Sequence, residues 1–346
     1  MARKTKLELT AEARLESQLR ARTRDKQDVD RKYKALQDDL KRTEQALADS
    51  LRIMEHRPKI HRIRMDSGIS GGQSTAVALL SDVHCEEVVT LNKTNGLNKH
   101  NPDISKRRVA RFFDLVVRFI RVERVESRID NLVLWLGGDF FSSNLHEELP
   151  AVCAMPPMEA AMFSQNMIVS GLHFLMEQEP NLKIHVVGSV GNHSRIVSKV
   201  YVSTEQEHSI EWMMYHAIAA HFAGLPNMTF QLDNSYHSYL KVYNKVVRFN
   251  HGHQVRYNMG LAGVHGPLRK KIDQVWNKQV HADLTCSGHW HTYVPAERGL
   301  AYVVNGSTIG ASPYGMNFGY EDPCQAFFLI HNKYGVVGQR PLLVDM

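Results

Sequence analysis

Residues 76–84 read Ala-Val-Ala-Leu-Leu-Ser-Asp-Val-His, an uninterrupted apolar run that stops in an acid and an imidazole two places apart. A short apolar run of this kind is the pattern of a strand buried on both faces. If strand geometry persists to the end of the run, Asp82 and His84 project from the same face, because side chains alternate with a period of two. A carboxylate and a histidine at the open end of a buried strand are half of a metal site. The rest of the chain is constrained by whether it brings the other half to the same place.

The same ending recurs four more times. Residues 131–136 (NLVLWL) run into Gly137-Gly138-Asp139, where the glycines allow a sharp turn. Residues 183–190 end in Gly191-Asn192-His193, residues 245–250 in His251-Gly252-His253, and residues 283–287 in Gly288-His289-Trp290-His291. Helical spacing falls between the strands, with apolar residues of 104–124 at Val109, Phe112, Phe113, Val116, Val117 and Ile120. Further helices are expected over 156–177, 205–223 and 264–276, strands over 228–232, 239–242 and 300–304, and a closing hairpin over 324–343. Alternating strands and helices predict an α/β fold, and such folds place their sites at the carboxyl ends of strands. Any one of these histidines alone reads as an ordinary core or surface residue, as His173 and His185 do; the recurrence is what points to metal chemistry.

The ordered series DxH, GD, GNH, HGH and GHxH, followed by Asn305-Gly306-Ser307, resembles the calcineurin-like metallophosphoesterase superfamily over about residues 75–345. The resemblance implies a four-layer fold, a β-sandwich of two mixed sheets flanked by helices. It implies that Asp82, His84 and His291 bind one divalent metal and that Asn192, His251 and His289 bind a second, with Asp139 bridging the two. It also implies that His193 is the general acid or transition-state stabiliser. Two divalent ions lower the pKa of an attacking water and neutralise phosphoryl oxygens. The imidazole-rich donor set favours manganese, with iron or zinc as alternatives, over magnesium. His253 is an alternative to His251 as a ligand, or else a substrate contact, and Arg195 is either a phosphate clamp or a solvated arginine. Tyr314, Phe318 and Tyr320 either stack on a base or pack within their loop.

Two departures from the superfamily pattern bear on the substrate. Ser194 stands where many members carry an acid after GNH, and Ser142 stands where many carry the second acid of GDxxD, with no arginine following. The phosphoprotein phosphatases of the superfamily use that arginine to hold a phosphomonoester, so its absence leans toward a phosphodiesterase or nuclease.

Residues 1–60 hold sixteen Lys or Arg against eleven Asp or Glu, about +5 of the chain's +6, with no proline before Pro58 and no glycine before Gly68. That composition predicts a basic helical arm over 1–60 ahead of a catalytic domain over 61–346. Heptad spacing of Tyr33, Leu40, Leu47 and Met54, beside Val29 and Leu36, suggests a short coiled coil, with a break expected near Thr23–Lys26. The arm is open to three roles: packing on the main domain, self-association into a homo-oligomer, or nucleic-acid contact. Residues 65–74, rich in Gly and Ser, read as a linker. Four scattered cysteines, no apolar stretch of membrane-spanning length and no apolar segment behind Met1-Ala2-Arg3-Lys4 lead to the expectation of a cytoplasmic protein without a membrane partner.

The function expected from the sequence is two-metal hydrolysis of phosphodiester bonds, with nucleic acid as the leading partner and substrate, in the manner of the DNA-repair nuclease (SbcD-like) branch. The basic arm and a basic helix face at Lys106, Arg107, Arg108 and Arg111 carry the nucleic-acid reading. A small-molecule phosphodiesterase or nucleotidase, and a non-catalytic subunit of a nucleic-acid complex, are the alternatives.

Overall fold

The computed structural model describes residues 6–55, 61–62, 72–143, 151–255, 263, 265–296, 301–313, 315–317 and 321–345; side chains of the first helix are described over 15–44 except 17 and 21. Residues 65–71 of the expected linker, together with Tyr314, Phe318 and Tyr320, lie outside the described residues. The chain divides into two compact units, Met1–Arg57 and Pro58–Met346.

In the second unit, strand β2 (Gln73–Leu80) shows why the apolar run of the sequence has no polar face. Ala76, Ala78 and Leu80 pack among helices, whereas Val77 and Leu79 pack between two sheets. The strand is the centre of a sandwich and is buried along its whole length. Beside it run β3 (Arg128–Leu136), β4 (Lys183–Gly188) and β5 (Met228–Leu232), all parallel, and on its other side the antiparallel β10 (Cys324–His331) and β11 (Gly335–Leu343). The order is β11-β10-β2-β3-β4-β5.

The second sheet runs β1-β6-β7-β8-β9, from β1 (His61–Arg62), β6 (Ser238–Val242), β7 (Lys245–Phe249), β8 (Leu284–Ser287) and β9 (Tyr302–Val304). It is also mixed: β6 and β7 are antiparallel, while β7, β8 and β9 are parallel. Trp135, Phe249, Val247, Val303 and Phe328 fill the space between the sheets. Helices α2 (Pro102–Glu123), α3 (Pro157–Gln178) and α4 (Ile210–His221) cover the outer face of the first sheet. The segment α5 (His265–Lys271), continuing through a π turn at Ile272–Trp276, covers the second through Leu268, Ile272 and Trp276. The architecture is therefore an α/β sandwich of two mixed sheets flanked by helices, as the sequence led one to expect. Helix α2 starts where its sequence says: the Asn101 side chain accepts from the Ile104 N–H at 2.9 Å and Pro102 fills the first turn.

Three expectations need correction. Strand β2 stops at Leu80, so period-two alternation does not bring Asp82 and His84 together. The helix expected over 205–223 begins at Ile210, after a short 3-10 turn at Gln206–His208. In the first unit, α1 (Lys6–Glu55) runs for 50 residues through the break expected at Thr23–Lys26. No glycine or proline interrupts it, and the Thr23 hydroxyl donates to the Leu19 carbonyl at 2.8 Å inside the helix, so it does not cap a new one.

Candidate metal centre

The five sequence motifs lie just past the ends of β2, β3, β4, β7 and β8, and the backbone there leaves extended geometry abruptly. Eight non-glycine residues among those described have positive φ, and five of them are Asp82 (φ 54°), His84 (47°), Asp139 (53°), His289 (76°) and His291 (55°). Left-handed backbone is strained for a residue with a Cβ and persists where surrounding structure over-determines it, which is the condition of functional sites. The turns, not strand alternation, aim these side chains inward.

Two groups result. Ligand atoms of Asp82, His84 and His291 lie within 4.8 Å of one another, as do those of Asp139, His251 and His289. Nε2 of His84 is 3.2 Å from Nε2 of His291, and Nε2 of His291 is 3.5 Å from Oδ1 of Asp82. Asn192, next to the His193 whose N–H donates to Asp139, has its Oδ1 buried and without a hydrogen-bond partner. The glycines of the motifs permit this crowding. A Cβ on Gly191 would stand 2.1 Å from Oδ1 of Asp139, and one on Gly138 would stand 2.2 Å from the Gly191 nitrogen.

The hydrogen bonds fix which ring nitrogens face inward. Nδ1–H of His251 donates to the Gly137 carbonyl at 2.7 Å, which turns Nε2 toward Asp139, 2.9 Å from its Oδ2. Nδ1 of His84 meets the Ser142 hydroxyl at 2.6 Å and Glu87 at 3.3 Å, and its Nε2 faces His291. Such outer partners orient imidazoles for a metal. Ligand atoms crowded together in a buried site favour a cation, proton or metal, between them, and this chain's imidazole, carboxylate and amide donors suit a first-row divalent ion.

Electrostatics agree with the geometry. Burial raises the Asp139 carboxyl, but His251, His193 and His84 outweigh it and hold the group well below the usual carboxylate range. Burial pulls His84 down, yet Glu87 and Asp139 lift it to about 9. Burial and His251 keep His289 well below the ordinary imidazole range. His193 is lowered by burial against the pull of Asp139; its backbone N–H donates to Oδ1 of Asp139 at 2.8 Å and its Nδ1–H to the Ser142 carbonyl at 3.1 Å. His193 thus stands beside both groups, edge-on to His84 with ring centroids 5.1 Å apart.

The remaining candidates fall elsewhere. Arg195 turns its guanidinium back onto the Asn192 carbonyl and, at 3.4 Å, the Ser198 carbonyl, so it braces the loop that carries Asn192. His253 lies behind His251 and His289, with Nε2 2.7 Å from Oε1 of the buried Glu205. Arg108 is not part of a basic surface. It is 2% exposed and donates to Asp345, Asn98 and the Thr308 and Ile309 carbonyls. Its helical spacing to the buried Ser105, Phe112 and Leu115 already places it on the buried face of α2. Lys106 and Arg107 remain exposed.

Sequence reasoning missed the acids that hold the ligand loops. Glu211 is fully buried; one oxygen accepts from the Phe140 N–H at 2.8 Å, the other from the Gly191 N–H at 2.8 Å and the Ser194 hydroxyl at 3.0 Å. It ties the Asp139 turn to the Asn192 turn and, through Ser194, supplies the acid that position 194 lacks. Burial raises its pKa to about 7. Glu86 does the same for the turn after Asp139, accepting from the Ser142 and Ser143 N–H groups at 2.7 and 3.0 Å. Glu211 shares a helical face with Met214, Tyr215 and Ile218, a signal visible in the sequence; Glu86 had none.

No family model matches the chain, and no curated protein matches its sequence. Solved structures do. Vps29 from Chaetomium thermophilum is similar over 74% of this chain and 83% of its own, at 10% identity and a TM-score of 0.30. A dimetal phosphatase from Danio rerio is similar over 78% of this chain and 99% of its own, at 10% identity and a TM-score of 0.37.

Proposed function

We propose that this chain is a metal-dependent phosphoesterase that cleaves phosphodiester bonds, with nucleic acid as its leading substrate class. The observation that carries the reading is the pair of ligand groups whose ligand atoms, Nε2 of His251 with Oδ2 of Asp139 and Nε2 of His84 with Nε2 of His291, crowd together in a buried, backbone-strained cluster. Asp82, His84 and His291 would hold one divalent ion, and Asn192, His251 and His289 the other, with Asp139 between them. Bound there, such ions supply a water of lowered pKa and neutralise charge on phosphoryl oxygens.

The chain's own residues do the rest. Glu87 and Ser142 fix the His84 ring, and the Gly137 carbonyl fixes His251, so each presents Nε2. Glu211 and Glu86 keep the ligand turns in place. His193, anchored by Asp139 and the Ser142 carbonyl, is positioned to protonate a leaving alkoxide or stabilise its charge. The absence of an arginine after Ser142, where the phosphoprotein phosphatases of the resembled superfamily hold a phosphomonoester, supports a diester over a monoester. The basic charge of residues 1–60 supports a polyanionic substrate.

The test is turnover of metal-stripped protein given Mn²⁺ and, separately, a bis-aryl phosphate, cyclic nucleotides, RNA and single- and double-stranded DNA. Cleavage of nucleic acid, lost in Asp139→Asn, is the expected result. Deleting residues 1–57 should weaken polymer binding and leave bis-aryl phosphate hydrolysis intact. Turnover of the small esters alone, with no DNA binding at low salt, would assign the site to small molecules. No turnover of any ester would leave a non-catalytic binding role.

A further inference from the structure

Helix α1 carries an apolar seam that nothing among the described residues of its own unit covers. Positions 15, 19, 22, 26, 29, 33, 36, 40 and 43 step alternately by four and three residues, the spacing of a coiled-coil seam. Leu15, Leu19, Val29, Tyr33, Leu36 and Leu40 on that seam are each 59–70% exposed. An isolated helix leaves such a stripe in water, so the seam asks for an occupant.

We infer that the occupant is α1 of a second copy of this chain, lying antiparallel and centred between Tyr33 and Leu36. Charge decides the direction. In a parallel, in-register pair each seam residue meets its own copy, so Arg22 would face the partner's Arg22 and Lys26 the partner's Lys26. The flanking positions would then set Asp25 against the partner's Asp30 and Asp39 against the partner's Glu44. Every one of these contacts joins like charges, and flanking charges are what set orientation in coiled coils. Reversing one helix removes all four conflicts. With Tyr33 opposite the partner's Leu36, Val29 meets the partner's Leu40 and Lys26 meets the partner's Thr43. Four apolar layers then lie at the centre, and the Lys26 ammonium reaches out of the seam past a small hydroxyl residue.

Sedimentation equilibrium on the full chain at micromolar concentration should give a dimer, and Leu36→Asp should raise its dissociation constant at least about tenfold with bis-aryl phosphate turnover unchanged. Direction is read by oxidation of cysteine variants, with the unmodified chain, whose Cys153 is half-buried, as control. Val29→Cys combined with Leu40→Cys should cross-link two chains. Each single variant alone should not, and an equal mixture of the two single variants should. A monomer at all concentrations, a higher oligomer, a dimer unmoved by Leu36→Asp, or cross-linking by Val29→Cys alone would overturn the inference.

Discussion

Nε2 of His251 lies 2.9 Å from Oδ2 of Asp139, while the ring's Nδ1–H is given to the Gly137 carbonyl. In the metal-free protein that contact has to take up a proton; with a divalent ion it becomes a pair of ligands. The site's behaviour follows from this competition between a proton and a metal for the same lone pairs.

Replacing Asp139 by Asn should therefore weaken both forms. The amide oxygen still accepts from the His193 N–H, but the carboxylate that raises His84 and His251 is gone, so in EDTA near neutral pH the variant should melt below the parent. The stabilisation by Mn²⁺, about 2.7 kcal/mol for the parent at one hundred times its dissociation constant, should vanish. Differential scanning calorimetry with and without metal reads both. A variant that melts at the parent temperature in EDTA, or that keeps its metal shift, would contradict the assignment.

The stripped protein should lose stability in alkali. His84 is raised from 6.5 to about 9, and His251 is raised as well, by Asp139 against burial. A histidine whose folded pKa exceeds its unfolded value contributes stability that is complete below the unfolded value and disappears as pH climbs through the folded one. Melting temperature in EDTA should fall between pH 6.5 and 9.5, and excess Mn²⁺ should flatten the fall, because the bound metal replaces those protons. A stripped protein that gains stability over that range would refute the proton-held site.

Glu211 should be hard to replace. Each of its oxygens accepts from a backbone N–H, of Phe140 and of Gly191, and glutamine offers one acceptor where two are needed. Glu211→Gln should cost about 1–3 kcal/mol in urea unfolding and weaken Mn²⁺ binding, although the residue touches no metal. Unchanged metal affinity would show that the Asp139 and Asn192 turns stand without it.

Gly191→Ala tests the close approach of those turns. Its Cβ would fall 2.1 Å from Oδ1 of Asp139, so the two loops must part. The chain should remain folded by circular dichroism and lose at least about tenfold in metal affinity, the scale of losing an outer support of a metal ligand. Retained affinity would mean that the loops have slack that the structure does not show.

Arg108→Ala should unfold more readily, by about 1–3 kcal/mol, because it leaves the buried Thr308 and Ile309 carbonyls without their partner, while the exposed Asp345 can turn to water. The slope of DNA affinity against salt should not change, since the side chain is buried. Lys106→Ala and Arg107→Ala should show the reverse pattern if α2 faces a polyanion. Filter binding over a salt series separates the two outcomes.

How far the site could be read in advance depends on where each residue lies relative to an apolar run. Asp82, Asp139, Asn192, His251 and His289 follow directly on runs that must be strands, and strand ends in an α/β sandwich converge. The means of convergence was not legible. Left-handed backbone at Asp82 and His84 leaves no trace in residue type, and strand alternation gave the right neighbours for the wrong reason. Glu86 and Glu211 act through backbone N–H groups supplied by distant loops, which only the fold brings within reach. Arg108 was misread because its charge was weighed above its place in the 3.6-residue pattern.

The central claim is that the two ligand groups hold divalent metal for phosphoester hydrolysis. The most direct measurement is a stoichiometric Mn²⁺ titration of the stripped chain by calorimetry, with bis-aryl phosphate turnover recorded at each addition. The account predicts two ions per chain, with turnover rising as the sites fill and both lost in Asp139→Asn. No ion bound at the highest Mn²⁺ concentration, or turnover that persists in Asp139→Asn, would contradict it.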